Sequence, residues 1–326
     1  MRAHWKPILV LLLVTPFLTE LLSGSLPASE FFRPPVILFL STVGYGFPLL
    51  LLREFAVRRR LGIIGLFVLG IVYGIFNEGI LAKTFYLAAN LPVRTFDGFG
   101  YFHGIAVPWA IMISVWHALH SVLYPILAIG YFFPEHRESP WLKRREIVCL
   151  AIPTVVIGSL IFFNPGKDRA AGQLADFILM LSASGLLIWL ATRISSVPGF
   201  GEEGAFRTAP IFFGGLAFLT LVFVPVLLSG AKIPVMVFGG YYALLVFFMM
   251  WRLRHQTSLP MTTVLLLALG DDSLLALFGV VISAVEGNLE KLITNAIFVG
   301  VFVWFIARLR RSAKVSRTEV QTEFGN

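Results

Sequence analysis

Residues 61–82 read LGIIGLFVLGIVYGIFNEGILA, and this stretch decides how the chain folds. Its 22 residues carry one charged side chain, Glu78, and one amide, Asn77. About 20 predominantly apolar residues in a helix cross the roughly 30 Å hydrocarbon core of a bilayer. A helix also satisfies all of its backbone hydrogen bonds within the segment. The stretch therefore predicts a transmembrane helix that holds a polar pair inside the membrane.

The rest of the chain has the same character. Of its 326 residues, 57% are apolar and 13% are charged, and the mean hydropathy is +0.84. Soluble domains are about 45–50% apolar and about 25% charged, so a soluble globular protein is excluded. A content of 14% aromatic residues argues against disorder. The single cysteine, Cys149, excludes an internal disulfide and a Cys-based metal site.

Ten stretches are long and apolar enough to span a bilayer. They lie near residues 7–23, 35–52, 61–82, 105–133, 147–163, 174–192, 210–230, 233–251, 259–285 and 292–308. The predicted fold is an all-α, polytopic integral membrane helical bundle. It forms a single transmembrane domain over residues 1–311, and residues 312–326 form a polar cytoplasmic tail.

The basic residues predict the orientation of these spans. If the amino terminus is cytoplasmic, the inner loops and the tail hold 19 of the 26 Lys and Arg residues. This asymmetry obeys the positive-inside rule and places both termini in the cytoplasm. The net charge of +8 thus follows from membrane topology. The lipid bilayer is the expected partner, in the cytoplasmic (inner) membrane, and no nucleic-acid partner is predicted.

The first span has a second interpretation as a signal peptide. Arg2 and Lys6 form a basic start, and Ser23-Gly24-Ser25 resembles a small-residue cleavage site after the apolar run. Signal peptides rarely place a charge late in the apolar region, whereas Glu20 lies there. This position favours a retained helix over cleavage of residues 1–25.

Ionisable side chains inside a bilayer are costly, so each one is a candidate for function. Five places in the predicted spans carry them: Glu20, Glu78 beside Asn77, His117 with His120, Asp176, and Asp271 with Asp272.

The third and fourth spans predict a direct contact between two of these groups. Gly70 and Gly74 have GxxxG spacing, which allows a neighbouring backbone to come close, and Glu78 lies one turn further on the same side. The fourth span has a polar stripe that must face protein or water, formed by Ser114, His117, Ser121 and Tyr124. Consecutive spans are usually neighbours, so we expect Glu78 to pair with His117.

Four roles remain open for such a pair. It can be a buried hydrogen bond that holds two helices together, or a site that binds and releases a proton or a solute. It can also activate a water for hydrolysis, or contribute to a divalent metal site. No metal and no cofactor are predicted, because His117 and His120 are only three residues apart and no further ligand cluster is visible.

The adjacent acids Asp271 and Asp272 follow Gly270 in the middle of the ninth span. Either the helix breaks at this point and its backbone lines a cavity, or one of the two acids is protonated. Broken helices with acids at mid-membrane depth are typical of carriers.

The longest loop, from Lys83 to Gly104, is expected outside the membrane. Its aromatic residues predict a lid or interfacial flap and not a free linker; they are Tyr86, Phe96, Tyr101 and Phe102. Four tryptophans near span ends are interpreted as interfacial anchors: Trp5, Trp109, Trp141 and Trp251.

Several motifs in the first 130 residues resemble a family of uncharacterised multi-pass membrane proteins of bacteria and archaea. The matching segments are Thr19-Glu20-Leu21-Leu22-Ser23-Gly24-Ser25, Tyr45-Gly46, Leu52-Arg53-Glu54, Tyr73-Gly74, Glu78-Gly79, His117-Ala118 and Tyr124-Pro125. Family members show two glutamates where this chain has Asn77 and Glu78. The order of glutamate and then histidine is also faintly similar to the CAAX-protease and bacteriocin-processing superfamily. In that superfamily an arginine follows the paired glutamates, whereas here Ala82 occupies its place. The resemblance implies a membrane helical bundle and no particular activity.

These observations together predict a proton- or cation-coupled secondary transporter of a small solute. The residues expected along its coupling and substrate pathway are Glu20, Asn77, Glu78, His117, His120, Tyr124, Asp271 and Asp272. One alternative is an intramembrane hydrolase that uses Glu78 and His117 on a peptide or a lipid. Another is a non-catalytic membrane assembly factor. The sequence predicts neither the solute nor an oligomeric state.

Overall fold

A computed structural model describes residues 4–24, 27–33, 35–87, 89, 91–164, 173–194, 199–201, 204–253 and 258–323. For residues 36–38, 40, 199–201, 250, 253, 258 and 312–323 it describes the backbone alone. Arg2 and Ser25, on which the signal-peptide interpretation depends, lie outside the described residues.

Within these described ranges ten long helices follow one another, and each overlaps one predicted span. Four of them contain a π-helical segment: α1 (Trp5–Pro16, then π over Phe17–Leu21), α3 (Ile63–Gly74, then π over Ile75–Leu81), α4 (Val107–His117, π over Ala118–Leu123, then Tyr124–Phe132) and α7 (Ala209–Phe218, π over Leu219–Phe223, then Val224–Gly230). The others are α2 (Pro35–Arg58), α5 (Arg144–Phe163), α6 (Leu174–Arg193), α8 (Val235–Leu253), α9 (Met261–Val285) and α10 (Leu289–Glu323).

The predicted fold class, a helical membrane bundle, is confirmed. Within the described part of the chain, seven helices are both long and apolar enough to cross a membrane, namely α3, α4, α5, α6, α7, α9 and α10. The count of ten spans and their limits therefore stay predictions. The last helix continues to Glu323, so the tail predicted from residue 312 begins as an extension of α10.

Helices α3 and α4 form the centre of the bundle. In each of them 78% of the apolar span is buried, compared with 11% in α5 and in α6. The outer helices expose large apolar side chains, such as Leu160 of α5 and Phe247 of α8. A surface of this kind contacts lipid, as the sequence predicted.

The close approach predicted from the GxxxG spacing is present between α3 and α4. A Cβ atom added at Gly70 would lie 2.5 Å from Cα of Ala118, and one added at Gly74 would lie 2.6 Å from Cα of Ser114. Both distances are too short for any side chain larger than hydrogen. The two glycines therefore set the separation of α3 and α4, and this separation brings Glu78 within reach of α4.

A second pair of glycines joins α7 to α9. A Cβ at Gly214 would collide with the Leu267 carbonyl group, and a Cβ at Gly270 would collide with that of Ile211. Helix α9 runs without interruption from Met261 to Val285. Of the two alternatives for Asp271 and Asp272, the break of the helix at Gly270 is therefore wrong: this glycine allows a close helix contact and does not end the helix.

The segment predicted as a lid or flap is folded against the bundle. It contains two 3₁₀ turns, Thr84–Tyr86 and Arg94–Phe96, and a hairpin of β1 (Tyr101–Phe102) and β2 (Ile105–Ala106). Phe96 is fully buried between Trp109 and Phe238. Two further strands lie in the connections before α7 and before α9: β3 (Gly199–Gly201) pairs in parallel with β4 (Ser258–Pro260).

One end of α2 is fastened to the loop before α5 by a buried charge cluster. Glu54 accepts hydrogen bonds from the Arg53 guanidinium at 2.9 Å and from the backbone N–H of Trp141 at 2.6 Å. The Arg53 guanidinium lies over the Trp141 ring, and its central carbon is 3.7 Å from the ring centre. Trp141 and Trp109 are both buried in protein, so their interpretation as interfacial anchors is wrong.

The α3–α4 contact predicts a measurable loss of stability. A methyl group at Gly74 has no room against the Ser114 backbone, so Gly74→Ala forces the helices apart at a cost of about 1–3 kcal/mol. We expect the apparent Tm in detergent to fall by about 2–6 °C. Gly185→Ala is the matched control, because a Cβ at this position meets nothing within 4 Å. Equal Tm values for the two variants would contradict the contact.

Candidate functional site

The predicted pair of Glu78 and His117 is present. The Nε2 atom of His117 lies 2.9 Å from Oε1 of Glu78, and both side chains are buried. The Asn77 amide nitrogen lies 3.2 Å from each of these two atoms. Since a carboxylate only accepts hydrogen bonds, the Nε2–H group of His117 is the donor to Glu78. On the other side of the ring, Nδ1 lies 2.7 Å from the hydroxyl of Ser121.

The second oxygen of Glu78 is held from outside the two helices. It accepts a hydrogen bond from the hydroxyl of Thr84, in the first turn of the folded loop. The same Thr84 oxygen accepts a hydrogen bond of 2.9 Å from the indole of Trp109. The carboxylate therefore connects α3, α4 and the loop that covers them, and any change in its charge acts on all three.

Glu20 approaches this first cluster through aromatic side chains. Its carboxylate accepts a hydrogen bond from the Tyr45 hydroxyl. The Tyr45 ring lies 6.5 Å from the His117 ring, and the Tyr73 ring lies 5.7 Å from it. The sequence patterns did not identify Tyr45 and Tyr73 as site residues. The signal that could have identified them is the glycine that follows each tyrosine, because both Tyr-Gly pairs belong to the segments that carry the family resemblance.

A second cluster lies between α4 and α9, around His120. The His120 Nε2 atom is 3.1 Å from Oδ1 of Asp271 and 3.6 Å from Oδ1 of Asp272. The Tyr124 hydroxyl donates a hydrogen bond of 2.6 Å to the other oxygen of Asp271. His120 and Asp271 are completely buried. The expectation that no further ligands lie near the histidines is therefore wrong, because both aspartates face His120.

Trp116 separates the two clusters. Its indole stacks on His120 at 4.6 Å and meets the edge of His117 at 5.2 Å between ring centres. The polar stripe predicted on α4 is buried along its whole length, from Ser114 to Tyr124. One helix thus carries both histidines, one toward α3 and the other toward α9.

Three π-helical segments coincide with the candidate residues. The segment in α1 contains Glu20, the segment in α3 contains Asn77 and Glu78, and the segment in α4 contains His120. Short π-helical segments inside α-helices are rare and frequent at functional sites, because they redirect side chains at the cost of regular hydrogen bonding. The π-helical segments therefore identify the same residues as candidates that their buried ionisable groups identify.

Asp176 belongs to neither cluster. It lies half-buried in the first turn of α6, on the side of the folded loop. Burial and the nearby carboxylate of Asp176 raise the pKa of the Tyr86 phenol. Of the five places selected from the sequence, Asp176 is the one that the structure leaves apart from the others.

An apolar cavity of about 630 Å³ opens beside the first cluster. It lies between α3, α4, α6 and α8 and is lined by side chains such as Ile75, Met180 and Phe247. Ser114 of the polar stripe also lines it, three residues before His117. The lining is almost entirely apolar, and an apolar cavity of this kind suits a hydrocarbon chain.

The buried pair predicts a non-additive response to mutation. His117→Ala leaves the Glu78 carboxylate buried without its imidazole partner, a loss of about 3–5 kcal/mol for such pairs. We expect a clear fall in apparent Tm and a partial recovery when Glu78→Gln is added, because the amide carries no charge. The exposed histidine variant His103→Asn is the control and should match the unmutated protein. A double variant less stable than His117→Ala would contradict direct pairing.

Comparison with known proteins shows which family the chain belongs to. Over 109 residues the chain is 28% identical to an undecaprenyl-diphosphatase of Saccharophagus degradans. The aligned part is 33% of this chain and 36% of that protein, so the chain spans about a third of the length of this curated relative. No solved structure matches the chain. The model of an uncharacterized membrane protein family matches residues 9–320, which include every residue of both clusters. The chain belongs to this uncharacterized membrane protein family.

Proposed function

We propose that the protein is a proton- or cation-coupled secondary transporter of a small solute, with Glu78 and His117 as the coupling pair. The observation that carries the proposal is the contact of 2.9 Å between this carboxylate and imidazole, both buried inside the bundle. Ionisable pairs at such positions are characteristic of proton relays and ion pathways in membrane proteins. The proposal includes a location in the cytoplasmic membrane with both termini inside.

The partners of Glu78 explain how a proton would alter the structure. As a carboxylate, Glu78 accepts hydrogen bonds from His117 and from Thr84. A proton on Glu78 removes its charge, and a neutral acid accepts weaker hydrogen bonds than a carboxylate does. On the oxygen that faces Thr84 the proton also reverses that bond, because the Thr84 hydroxyl must then accept it. Protonation would therefore weaken the hold on the covering loop, and a carrier needs such a change to alternate between its two open states.

His117 is suited to pass the proton onward. Its Nδ1 atom faces the hydroxyl of Ser121, which can donate or accept a hydrogen bond. The ring can therefore gain or lose a proton at Nδ1 while its Nε2–H group keeps the bond to Glu78. Asp271 and Asp272, on the other side of Trp116, supply negative charge to the same region of the bundle. A cation that lies beside α4 would be stabilised by these charges, whether it crosses the membrane or stays bound.

Reconstitution tests the transport proposal. Proteoliposomes that contain a pH-sensitive dye receive an imposed pH gradient and then single members of a panel of inorganic cations, amino acids and sugars. We expect at least one solute to dissipate the gradient, and Glu78→Gln and His117→Ala to slow this flux more than tenfold. The exposed variant Glu286→Gln controls for loss of an acid. A flux and pH dependence unchanged in Glu78→Gln would remove the coupling role.

A second function, intramembrane hydrolysis of a lipid diphosphate, is favoured by two observations. One is the partial similarity to an undecaprenyl-diphosphatase, and the other is the apolar cavity that reaches Ser114. In this reaction Glu78 and His117 would remove a proton from water, and the water oxygen would attack the terminal phosphorus. The bond between phosphorus and the bridging oxygen would break, releasing inorganic phosphate and the lipid monophosphate.

A detergent assay separates the two functions, because hydrolysis needs no gradient. If the protein is a hydrolase, phosphate is released from undecaprenyl diphosphate in micelles, and His117→Ala lowers the rate at least 100-fold. The exposed His103→Asn variant should retain the full rate. Absence of release by the unmutated protein contradicts the hydrolase, whereas release combined with no flux of any solute contradicts the transporter.

A further inference from the structure

We infer that His120, Asp271 and Asp272 form a binding site for one divalent transition-metal ion. The inference is independent of the transport proposal, because binding of the ion is observable whether or not the protein moves a solute. Each of these residues offers one ligand atom, and the three atoms lie within 4.8 Å of one another. All three ligands belong to the second cluster, and neither Glu78 nor His117 takes part in the site.

The spacing of the three atoms fits a metal centre. The imidazole nitrogen lies 3.1 Å and 3.6 Å from the two aspartate oxygens. Ligands bound to Zn²⁺ at about 2.0–2.2 Å in a tetrahedral arrangement lie about 3.3 Å apart. Both separations lie close to this value, so small movements of side chains suffice to bring all three atoms onto one ion.

The hydrogen bond on the far side of the ring determines the state of the facing nitrogen. His120 Nδ1 lies 3.1 Å from the backbone carbonyl oxygen of Trp116. A carbonyl oxygen only accepts, so Nδ1 must carry the hydrogen. In the neutral imidazole, Nε2 is then a bare lone pair that points at two carboxylate oxygens. This arrangement is repulsive unless a cation lies between them, and a metal-binding histidine is normally held by this kind of Nδ1–H contact.

Asp272 provides an independent observation. Its side chain is only 7% exposed, and its Oδ1 atom, the one that faces His120, has no hydrogen-bond partner. A buried carboxylate oxygen without a partner is expensive, and natural proteins retain such groups where an ion or a reaction requires them. A divalent ion would neutralise the two aspartates together with a neutral imidazole, and the whole cluster would carry no net charge.

The surroundings hold the ligands in place. The Tyr124 hydroxyl bonds the second oxygen of Asp271, and the stacked Trp116 ring orients the imidazole. Behind the aspartates, Gly270 lets α7 pack against the backbone of α9. Contacts of this type fix ligand orientation and raise metal affinity. One imidazole and two carboxylates suit Zn²⁺, Mn²⁺ or Fe²⁺ better than Ca²⁺, which prefers oxygen ligands throughout.

Metal analysis of the whole protein tests this inference. The protein is produced in medium supplemented with Zn²⁺, because the buried ligands favour entry of the ion during folding, and it is purified in detergent without chelator. We expect about one Zn²⁺ per chain by elemental analysis, and Co²⁺ in its place should give the visible absorption of a low-symmetry site. Bound metal should also raise the apparent Tm relative to protein produced with a chelator.

Variants of similar shape distinguish this site from adventitious binding. Asp272→Asn and His120→Gln should lose the ion, and Tyr124→Phe should weaken binding about 10- to 100-fold. Asp176→Asn and Glu78→Gln remove other intramembrane acids and should retain one ion per chain. The Co²⁺ spectrum of the unmutated protein gives a readout that does not depend on whether the variants fold.

Three results would overturn the site. They are a metal content near zero with Zn²⁺, Mn²⁺ and Fe²⁺ supplied in turn, an unchanged content in Asp272→Asn, and an equal loss in Asp176→Asn. With a near-zero content, the cation between His120 and the aspartates would be a proton on Nε2. A failure of metal binding leaves the flux assays of Glu78→Gln unaffected, so the two proposals stand or fall separately.

Discussion

The arrangement of the bundle depends on one constraint: a charge removed from water must meet a partner of opposite character. Glu78 and His117 satisfy it across α3 and α4, and His120 and Asp271 satisfy it across α4 and α9. Leaving one member of such a pair alone costs several kcal/mol, because neither hydrocarbon nor apolar side chains replace the lost hydration. The constraint therefore specifies which helices are neighbours, and at what height along their axes. Apolar packing alone specifies the neighbouring helices and their heights much less well, because an apolar side chain has nearly the same free energy against lipid as against protein.

The backbone provides the precision that these contacts need. Glycines at 70 and 74 reduce the distance between α3 and α4 until side chains one turn further can meet. The π-helical segments then turn Glu78 and His120 toward their partners within otherwise regular helices. Each device weakens the isolated helix, since glycine costs about 1 kcal/mol relative to alanine and a π segment loses regular hydrogen bonds. The buried polar contacts offset this loss, so the irregular backbone and the buried charges depend on each other.

The sequence predicted those features that depend on neighbouring or periodic residues. The apolar stretches, the spacing of Gly70 and Gly74, and the stripe that includes His117 are local patterns, so the bundle and the Glu78–His117 pair followed from them. The contact of His120 with Asp271 joins residues 151 positions apart on helices that are not consecutive, and no local pattern encodes it. Without that partner, two adjacent acids after Gly270 favoured a broken helix, which was wrong. The burial of Trp141 was missed for the same reason: its place near a span end indicated an interfacial anchor, whereas contacts with Arg53 and Glu54 of α2 enclose it.

The two histidines of α4 differ in a way that separates their chemistry. Both direct Nε2 at carboxylates, but His117 Nδ1 meets a hydroxyl, whereas His120 Nδ1 meets a carbonyl oxygen. A hydroxyl rotates and can donate or accept, so His117 can gain or lose a proton at Nδ1 while Nε2–H stays bonded to Glu78. A carbonyl only accepts, so His120 keeps its hydrogen on Nδ1 and presents Nε2 to two acids in every neutral state. The first environment permits repeated proton transfer, and the second favours a fixed cation. Placed three residues apart on one helix, with Trp116 between their rings, the two sites can differ in charge state while sharing the movements of α4.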